Sequence, residues 1–259
     1  MSLKTLDPTQ SEAPAFVLGV RVDRVSQRQA LACMEQMVTR RRTNGEPCQQ
    51  VVTVNTEFIM AAQRDTIFRQ CINQAALVVA DGMGVVWATK YLREPAPERI
   101  TGIDTLIELA KLCAAKGYRI YLLGAAPGVA EQARARLESL APGLQVAGTY
   151  AGSPAPEEEE EIIGRVREAK ADILCVAYGA PAQELWIRRN IVRLPVAIAM
   201  GVGGAYDFLA GRQRRAPKTM QRMGLEWLYR LYREPWRIKR MLAIPQFMVL
   251  VLLKGRNKL

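Results

Sequence analysis

Histidine is absent from all 259 residues. That absence excludes Ser-His-Asp and Cys-His nucleophile systems, and any zinc site built on imidazole. The 5 cysteines (Cys33, Cys48, Cys71, Cys113 and Cys175) form no Cys-x-x-Cys pair. An odd count among aliphatic neighbours reads as small buried hydrophobes in a reducing compartment. Neither G-x-G-x-x-G nor G-x-x-x-x-G-K-[ST] occurs, so the dinucleotide fingerprint and the P-loop are both missing. No apolar run reaches the roughly 20 residues that span a bilayer. The most apolar stretch, 241–253, is interrupted by Pro245 and Gln246. The opening MSLKTLDPTQSEAP is polar and holds no apolar signal core, which predicts a cytoplasmic chain.

What is present describes a folded body, with 49% of residues hydrophobic and 24% charged. The length suits one large domain or two small ones. Net charge is +11, and its placement is uneven. Residues 212–259 hold 13 of the 36 Lys+Arg and 2 of the 25 Asp+Glu, leaving the preceding 211 residues with 23 of each. A neutral body with a basic tail points to a polyanion or an anionic membrane surface as the tail's partner. The chain therefore divides into a flexible start (1–15), a body (16–211) and a basic appendage (212–259).

Within the body, apolar β-type runs alternate with helical patterns. Strands are expected at 16–22, 50–54, 75–80, 118–124, 144–150, 172–179 and within 196–204. Helices are expected at 26–42, 56–73, 83–93, 104–116, 127–140 (with Pro127 in the first position), after the loop AGSPAP, and from Gln183. The glutamate run after that loop matches the helix dipole and needs no functional account. Strands alternating with helices, and apolar on nearly every residue, predict an α/β fold with a parallel sheet covered on both faces. In the appendage, Leu225, Leu228, Tyr229 and Tyr232 share one helical face, and Arg230, Arg233, Arg237 and Arg240 share another if the helix continues past Pro235. A basic amphipathic stretch beside a short apolar one reads as lying in a membrane interface; the alternative is a helical hairpin packed on the body or on a partner subunit.

Ligands of open parallel sheets bind where strands end. Polar and small residues at those ends are Thr53 and Asn55, then Asp81, then Gly124 to Gly128, then Tyr178, Gly179 and Gln183, and finally Gly201, Gly203, Gly204 and Asp207. The GAAPG turn is either a phosphate cradle or a plain tight turn. Asp81, inside AALVVADGMGVVW, has two readings of equal standing. It caps the helix starting near Met83, or it serves as a general base whose partly desolvated carboxylate has raised proton affinity. The glycines after it allow close approach of a substrate. No Asp-x-Asp pair exists to hold Mg2+, so a leaving diphosphate needs other cations. Arg212, Arg214, Arg215 and Lys218 are one source, unless they are only a solvated basic face.

Seven ordered blocks resemble the WecG/TagA/CpsF family of bacterial glycosyltransferases, from about Val17 to Arg240. They are TVNTEFIMAAQRD (53–65), ADGMGVVW (80–87), ERITGID (98–104), LLGAAPGVAE (122–131), YGAPAQELWI (178–187), GVGGAYDFLAG (201–211) and RRAPKTMQRMGLEWLYRLYREPWRIKR (214–240). The resemblance implies a Rossmann-like body and a C-terminal appendage that completes the site and reaches the bilayer. It implies inverting, metal-independent transfer from a UDP-sugar to a polyprenyl-diphosphate-linked acceptor at the inner membrane face, with no cofactor and no nucleic acid. The donors it suggests are N-acetylmannosamine or its uronic acid, with glucose used by some members. By resemblance Asp81 is the base. Thr53, Asn55, Arg99, Gly124, Gln183, Gly203 and Asp207 line the substrate site, and the diphosphate-holding arginines fall within Arg215, Arg222, Arg230, Arg233 and Arg237. Ala182 departs from the lysine often found in the family. A homo-oligomer, the appendage packing on a neighbour, is compatible with this reading. An NAD-type oxidoreductase and a nucleic-acid module are the competing classes, each weakened by an absence or a neighbour already noted.

Overall fold

Apolar strands of four to six residues build the frame. The structure is a computed structural model that describes residues 12–217, 219–220, 226–233, 235 and 242–254. Its main sheet has 6 strands: β3 (Gln49–Val54), β4 (Leu77–Ala80), β5 (Arg119–Gly124), β6 (Gln145–Tyr150), β7 (Ile173–Ala177) and β8 (Ile198–Gly201). They lie in the order β4-β3-β8-β7-β5-β6 and every pairing is parallel.

Side chains alternate across the sheet with the period of two that a strand imposes. Val51, Ile120, Leu122, Ile173, Cys175, Ile198 and Met200 face one core, which α1 (Gln27–Asn44), α5 (Gly102–Lys116), α6 (Val129–Leu140) and α9 (Ala205–Leu209) cover. On the other face, Tyr121, Leu123, Leu174, Val176 and Ala199 pack with α7 (Glu159–Glu168) and α8 (Ala182–Asn190). Val52, Val54 and Val78 there pack with α2 (Thr56–Ala62), α3 (Thr66–Asn73) and α4 (Met83–Tyr91). Apolar residues on both faces thus follow from helices on both faces, as the sequence predicts.

Four local expectations change. The single strand over 16–22 is a hairpin outside the main sheet, formed by β1 (Glu12–Val17) and β2 (Val20–Arg24). Leu18 and Gly19 both take positive φ (50° and 78°), the conformation of a tight two-residue hairpin turn. The strand β1 also draws in residues 12–15, which the sequence leaves with the N-terminal segment. Val78 donates its amide N–H to Asp23 Oδ2 at 2.8 Å, so the hairpin satisfies the exposed edge of β4. Helix 56–73 is two helices, because the Asp65 carboxylate accepts from Phe68 N at 2.9 Å and starts a new one. Pro127 precedes α6 by a residue: Gly128, at φ 79°, is the N-cap.

In the appendage the described helices are α10 (Glu226–Arg233) and α11 (Ala243–Lys254). The helix α11 packs against α2 and α4. Phe247 and Val251, one turn apart, are fully buried there. Among the described residues, no helix is long and apolar enough to cross a membrane.

Candidate functional site

Because all six strands are parallel, their carboxyl ends share one edge, and the site is built there. The backbone of Asp81 ties the ends of β3 and β4 together, its N–H donating to Val54 O at 2.7 Å. The side chain turns to the start of α5, where Gly102 N donates to Asp81 Oδ2 at 3.4 Å. The helix α4 takes Gly82 as its N-cap and has no side-chain cap, so Asp81 does not serve it that way. A Cβ on Gly102 would stand 3.4 Å from Thr53 Oγ1 and 3.9 Å from Val202 O. The ends of β3, β4 and β8 therefore meet at one helix start. Asn55 begins α2, its Oδ1 accepting from Phe58 N at 3.0 Å.

Two arginines belong to this side of the site, and the charge of Asp81 acts on one of them, Arg215. Ile100 N donates to Ala80 O at 2.8 Å, which lays the Arg99 segment along the end of β4. Arg215 makes a two-pronged contact with Asp104, Nη1 to Oδ1 at 2.6 Å and Nη2 to Oδ2 at 3.0 Å. Thr101 caps α5 and donates its hydroxyl to Asp104 Oδ2 at 2.6 Å. Burial alone would raise the Asp104 pKa, but the Arg215 and Thr101 hydrogen bonds outweigh it and hold the carboxyl below its ordinary value. Asp104 pushes the Arg215 pKa upward against burial, and the charges of Glu226 and Asp81 add to the effect. Arg215 Nε is buried with no hydrogen-bond partner among the described residues.

Across the edge, Gly124 takes φ 98°, and a Cβ there would lie 2.8 Å from Ala177 C. Only glycine lets the ends of β5 and β7 come this close. Ala125 N donates to Ala177 O at 2.9 Å, so one amide of the GAAPG turn is spent on the sheet. Gln183 is 2% exposed. Its Oε1 accepts from Gly179 N and from Gly203 N, both at 3.1 Å, and its Nε2 donates to Glu184 Oε1 at 3.0 Å. Asp207 is half-buried in the first turn of α9, with Gly204 beside it.

The helices that follow β4, β5, β7 and β8 share a feature. Residues at the N-caps of α4, α6, α8 and α9 are Gly82, Gly128, Pro181 and Gly204, and none supplies a side-chain cap. Helices α1, α2, α3 and α5 are capped by Ser26, Asn55, Asp65 and Thr101. Four helix starts with uncapped N–H groups at one sheet edge create a positive field suited to an anionic ligand.

Among the described residues the appendage reaches this edge through two ion pairs, that of Arg215 with Asp104 and that of Arg99 Nη1 with Glu226 Oε2 at 3.0 Å, the latter with both side chains largely buried. Arg233 is exposed on α10. Arg230 falls on α10 too, with its side chain outside the described residues, and Arg222 and Arg237 lie outside them entirely. Of the sequence-predicted set, Asp81, Thr53, Arg99 and Arg215 cluster at the β3–β4 side. Gly124, Gln183 and Gly203 gather at the β5–β7–β8 side.

Sequence reasoning passed over Asp104, Thr101, Glu226 and Glu184. A signal for Glu184 existed: it stands three residues before Ile187, on the α8 face that buries Ile187 and Asn190.

In comparison with known proteins, residues 15–259 match the family model described as the glycosyl transferase WecG/TagA/CpsF family. A protein of Staphylococcus aureus (strain MW2), named N-acetylglucosaminyldiphosphoundecaprenol N-acetyl-beta-D-mannosaminyltransferase, is 32% identical over 244 residues, 94% of each chain. A protein of the same name from Bacillus subtilis (strain 168) is 34% identical over 208 residues, 80% of each chain.

Proposed function

Since the chain belongs to the WecG/TagA/CpsF family of glycosyltransferases, we propose that it moves N-acetylmannosamine from a UDP-sugar to a polyprenyl-diphosphate-linked saccharide, with inversion and without a metal ion. Family membership removes the oxidoreductase alternative. The name those relatives carry supports an N-acetylglucosaminyl diphosphate lipid as acceptor. A glucosyl or uronosyl donor is the second reading, since no residue described above recognises a sugar substituent.

The observation that carries the proposal is Asp81, a carboxylate at the sheet rim that α4 does not use as a cap. In the transfer, the acceptor hydroxyl oxygen bonds to the donor C1 as Asp81 takes the hydroxyl proton. The bond from C1 to the diphosphate oxygen breaks on the opposite face, and UDP leaves with the electron pair. Charge gathering on UDP is met by Arg215, by Arg99 and by N–H groups at the uncapped helix starts. Among the described residues, no group of three or more Cys, Asp or Glu side chains stands ready to hold a metal ion. Thr53 and Asn55 frame the Asp81 side of the site. Gln183 shapes the other side through Gly179 and Gly203, while Gly124 and Asp207 bound it.

A lipid acceptor requires the enzyme at a membrane surface. The face of α11 opposite Phe247 exposes Met248, Val249, Leu252 and Leu253 beside a basic appendage. An apolar face next to Lys and Arg suits the interface of an anionic bilayer. We place the enzyme on the cytoplasmic face, where nucleotide sugars are made.

The test is UDP release from UDP-N-acetylmannosamine, UDP-N-acetylglucosamine, UDP-glucose and UDP-glucuronic acid, with a polyprenyl-diphosphate-N-acetylglucosamine acceptor. The fastest release is expected from UDP-N-acetylmannosamine and is unchanged by EDTA. Release from none of them, or abolition by EDTA, contradicts the proposal.

A further inference from the structure

Behind the sheet edge lies a chain of buried polar groups whose outer end touches two site loops. Gln50 on β3 is 2% exposed, Gln183 2% and Glu184 0%. Glu184 Oε2 accepts from Gln50 Nε2 at 2.9 Å, and Glu184 Oε1 accepts from Gln183 Nε2 at 3.0 Å. Gln183 Oε1 then accepts from Gly179 N, after β7, and Gly203 N, after β8. Gly179 and Gly203 both hold positive φ, 76° and 51°. The chain is laid across Gly201, where a Cβ would overlap both Glu184 Oε1 and Gln183 Nε2. That explains a glycine in the last position of β8 that no left-handed backbone requires.

An amide has a donor end and an acceptor end, so which way Gln183 points is a choice. Turned by 180°, its NH2 group would face two backbone N–H donors and release both loops. Those two N–H donors favour the observed direction from the outer end, and an acceptor at the inner end secures it by keeping Nε2 from being buried without a partner. Carboxyl oxygens of Glu184 provide it whether ionised or protonated. The protonated form gives its O–H to Gln50 once that amide has turned, and still offers the other oxygen to Gln183; the turn gives up the bond from Gln50 Nε2 to the Glu184 carbonyl at 3.2 Å and leaves that carbonyl to the Cys71 thiol.

We propose that Glu184 is a positioning residue of the glycosyltransferase site: it fixes the Gln183 amide so that Gly179 and Gly203 are clasped together as one wall of the donor pocket. The proposal rests on the reading of this sheet edge as the transfer site. It predicts an asymmetry between two substitutions. Glu184→Gln keeps an oxygen for Gln183 and a donor for a turned Gln50, so it retains the clasp. Glu184→Leu leaves Gln183 Nε2 buried with no acceptor and loses it.

Two measurements decide it. Amide hydrogen exchange needs no substrate. In the wild type Gly179 and Gly203 N–H are expected to exchange roughly a hundredfold more slowly than an open loop. They become fast in Glu184→Leu and in Gly201→Ala, stay slow in Glu184→Gln, and core β-sheet amides stay protected throughout. Kinetics give the second readout: Glu184→Leu raises KM for the UDP-sugar about tenfold with kcat within about threefold, because a pocket wall binds ground and transition states alike. Glu184→Gln stays near wild type in both. Unprotected Gly179 and Gly203 in the wild type overturn the proposal, even if Glu184→Leu fails to fold. So does a Glu184→Gln enzyme as impaired as Glu184→Leu, or a loss confined to kcat. If the wild type releases UDP from no donor, the reading of the site fails while the exchange result still decides the clasp.

Discussion

Three acidic side chains near the sheet edge differ in what surrounds them, and their chemistry differs accordingly. Asp104 is held ionised by Arg215 and Thr101, so it acts as a fixed anchor for a cation that also faces Asp81. Asp81 sits at the rim against the start of α5. Glu184 is fully buried, and burial pushes its pKa up to about 7 in spite of hydrogen bonds from Gln183 and Gln50 that lower it. The neighbouring thiol of Cys71, which contacts the Glu184 carbonyl at 3.3 Å, is pushed up to about 12 by burial. Cys71 therefore does not titrate in the same window. Since the folded protein retains a proton on Glu184 that the unfolded chain releases near pH 4.5, this group's contribution to stability falls as pH rises from about 4.5 through about 7, then levels off. Urea unfolding at pH 5, 6, 7 and 8 is expected to show that decline in the wild type and a shallower one in Glu184→Gln. Equal slopes would mean that Glu184 does not titrate where its burial places it.

At the scale of elements, α11 packs on the body, and the proposed membrane contact falls to the face that this packing leaves exposed. Its residues are apolar almost all round, which a helical wheel cannot resolve into a buried face and an exposed one. Packing resolves it: Phe247 and Val251 complete the core over α2 and α4, while Val249, Leu252 and Leu253 stay 53%, 51% and 70% exposed. The triple variant Val249→Asp, Leu252→Asp, Leu253→Asp should bind anionic phospholipid vesicles at least about tenfold more weakly in a flotation assay, since each aliphatic side chain moved out of water contributes about 1.5–3 kcal/mol. Its thermal stability should stay near wild type, because the three side chains are half or more exposed and lie outside the buried cluster. Vesicle binding equal to wild type would assign membrane contact, if any, to another element. The hairpin of β1 and β2 is where element-level reading fell short. A Leu18-Gly19 turn lacks the Asn-Gly or Asp-Gly that marks such hairpins in sequence, and only tertiary packing pays the cost of Leu18 at φ 50°.

For the molecule as a whole, the parallel sheet, its six strands and most helix limits were legible in the sequence because period and polarity agree along the body. Strand ends named the right edge, since parallel strands must all finish there. What stayed hidden was pairing across distance. Arg215 with Asp104, Arg99 with Glu226 and Gln50 with Glu184 join residues more than a hundred positions apart, and no local pattern marks such partners. The buried Glu184 went unnoticed because a charged residue beside a glutamine at a helix start looks like ordinary surface, and only its spacing from Ile187 signals otherwise. The Arg99–Glu226 pair brings α10 to the rim of the body's site, where the proposed chemistry turns on Asp81. The most direct measurement compares full-length wild type with Asp81→Asn, following UDP release with the lipid-linked acceptor and UDP affinity by calorimetry. Loss of a general base predicts turnover lower by roughly 10²- to 10⁴-fold with UDP affinity little changed. Turnover of the asparagine variant near the wild-type rate would contradict the account.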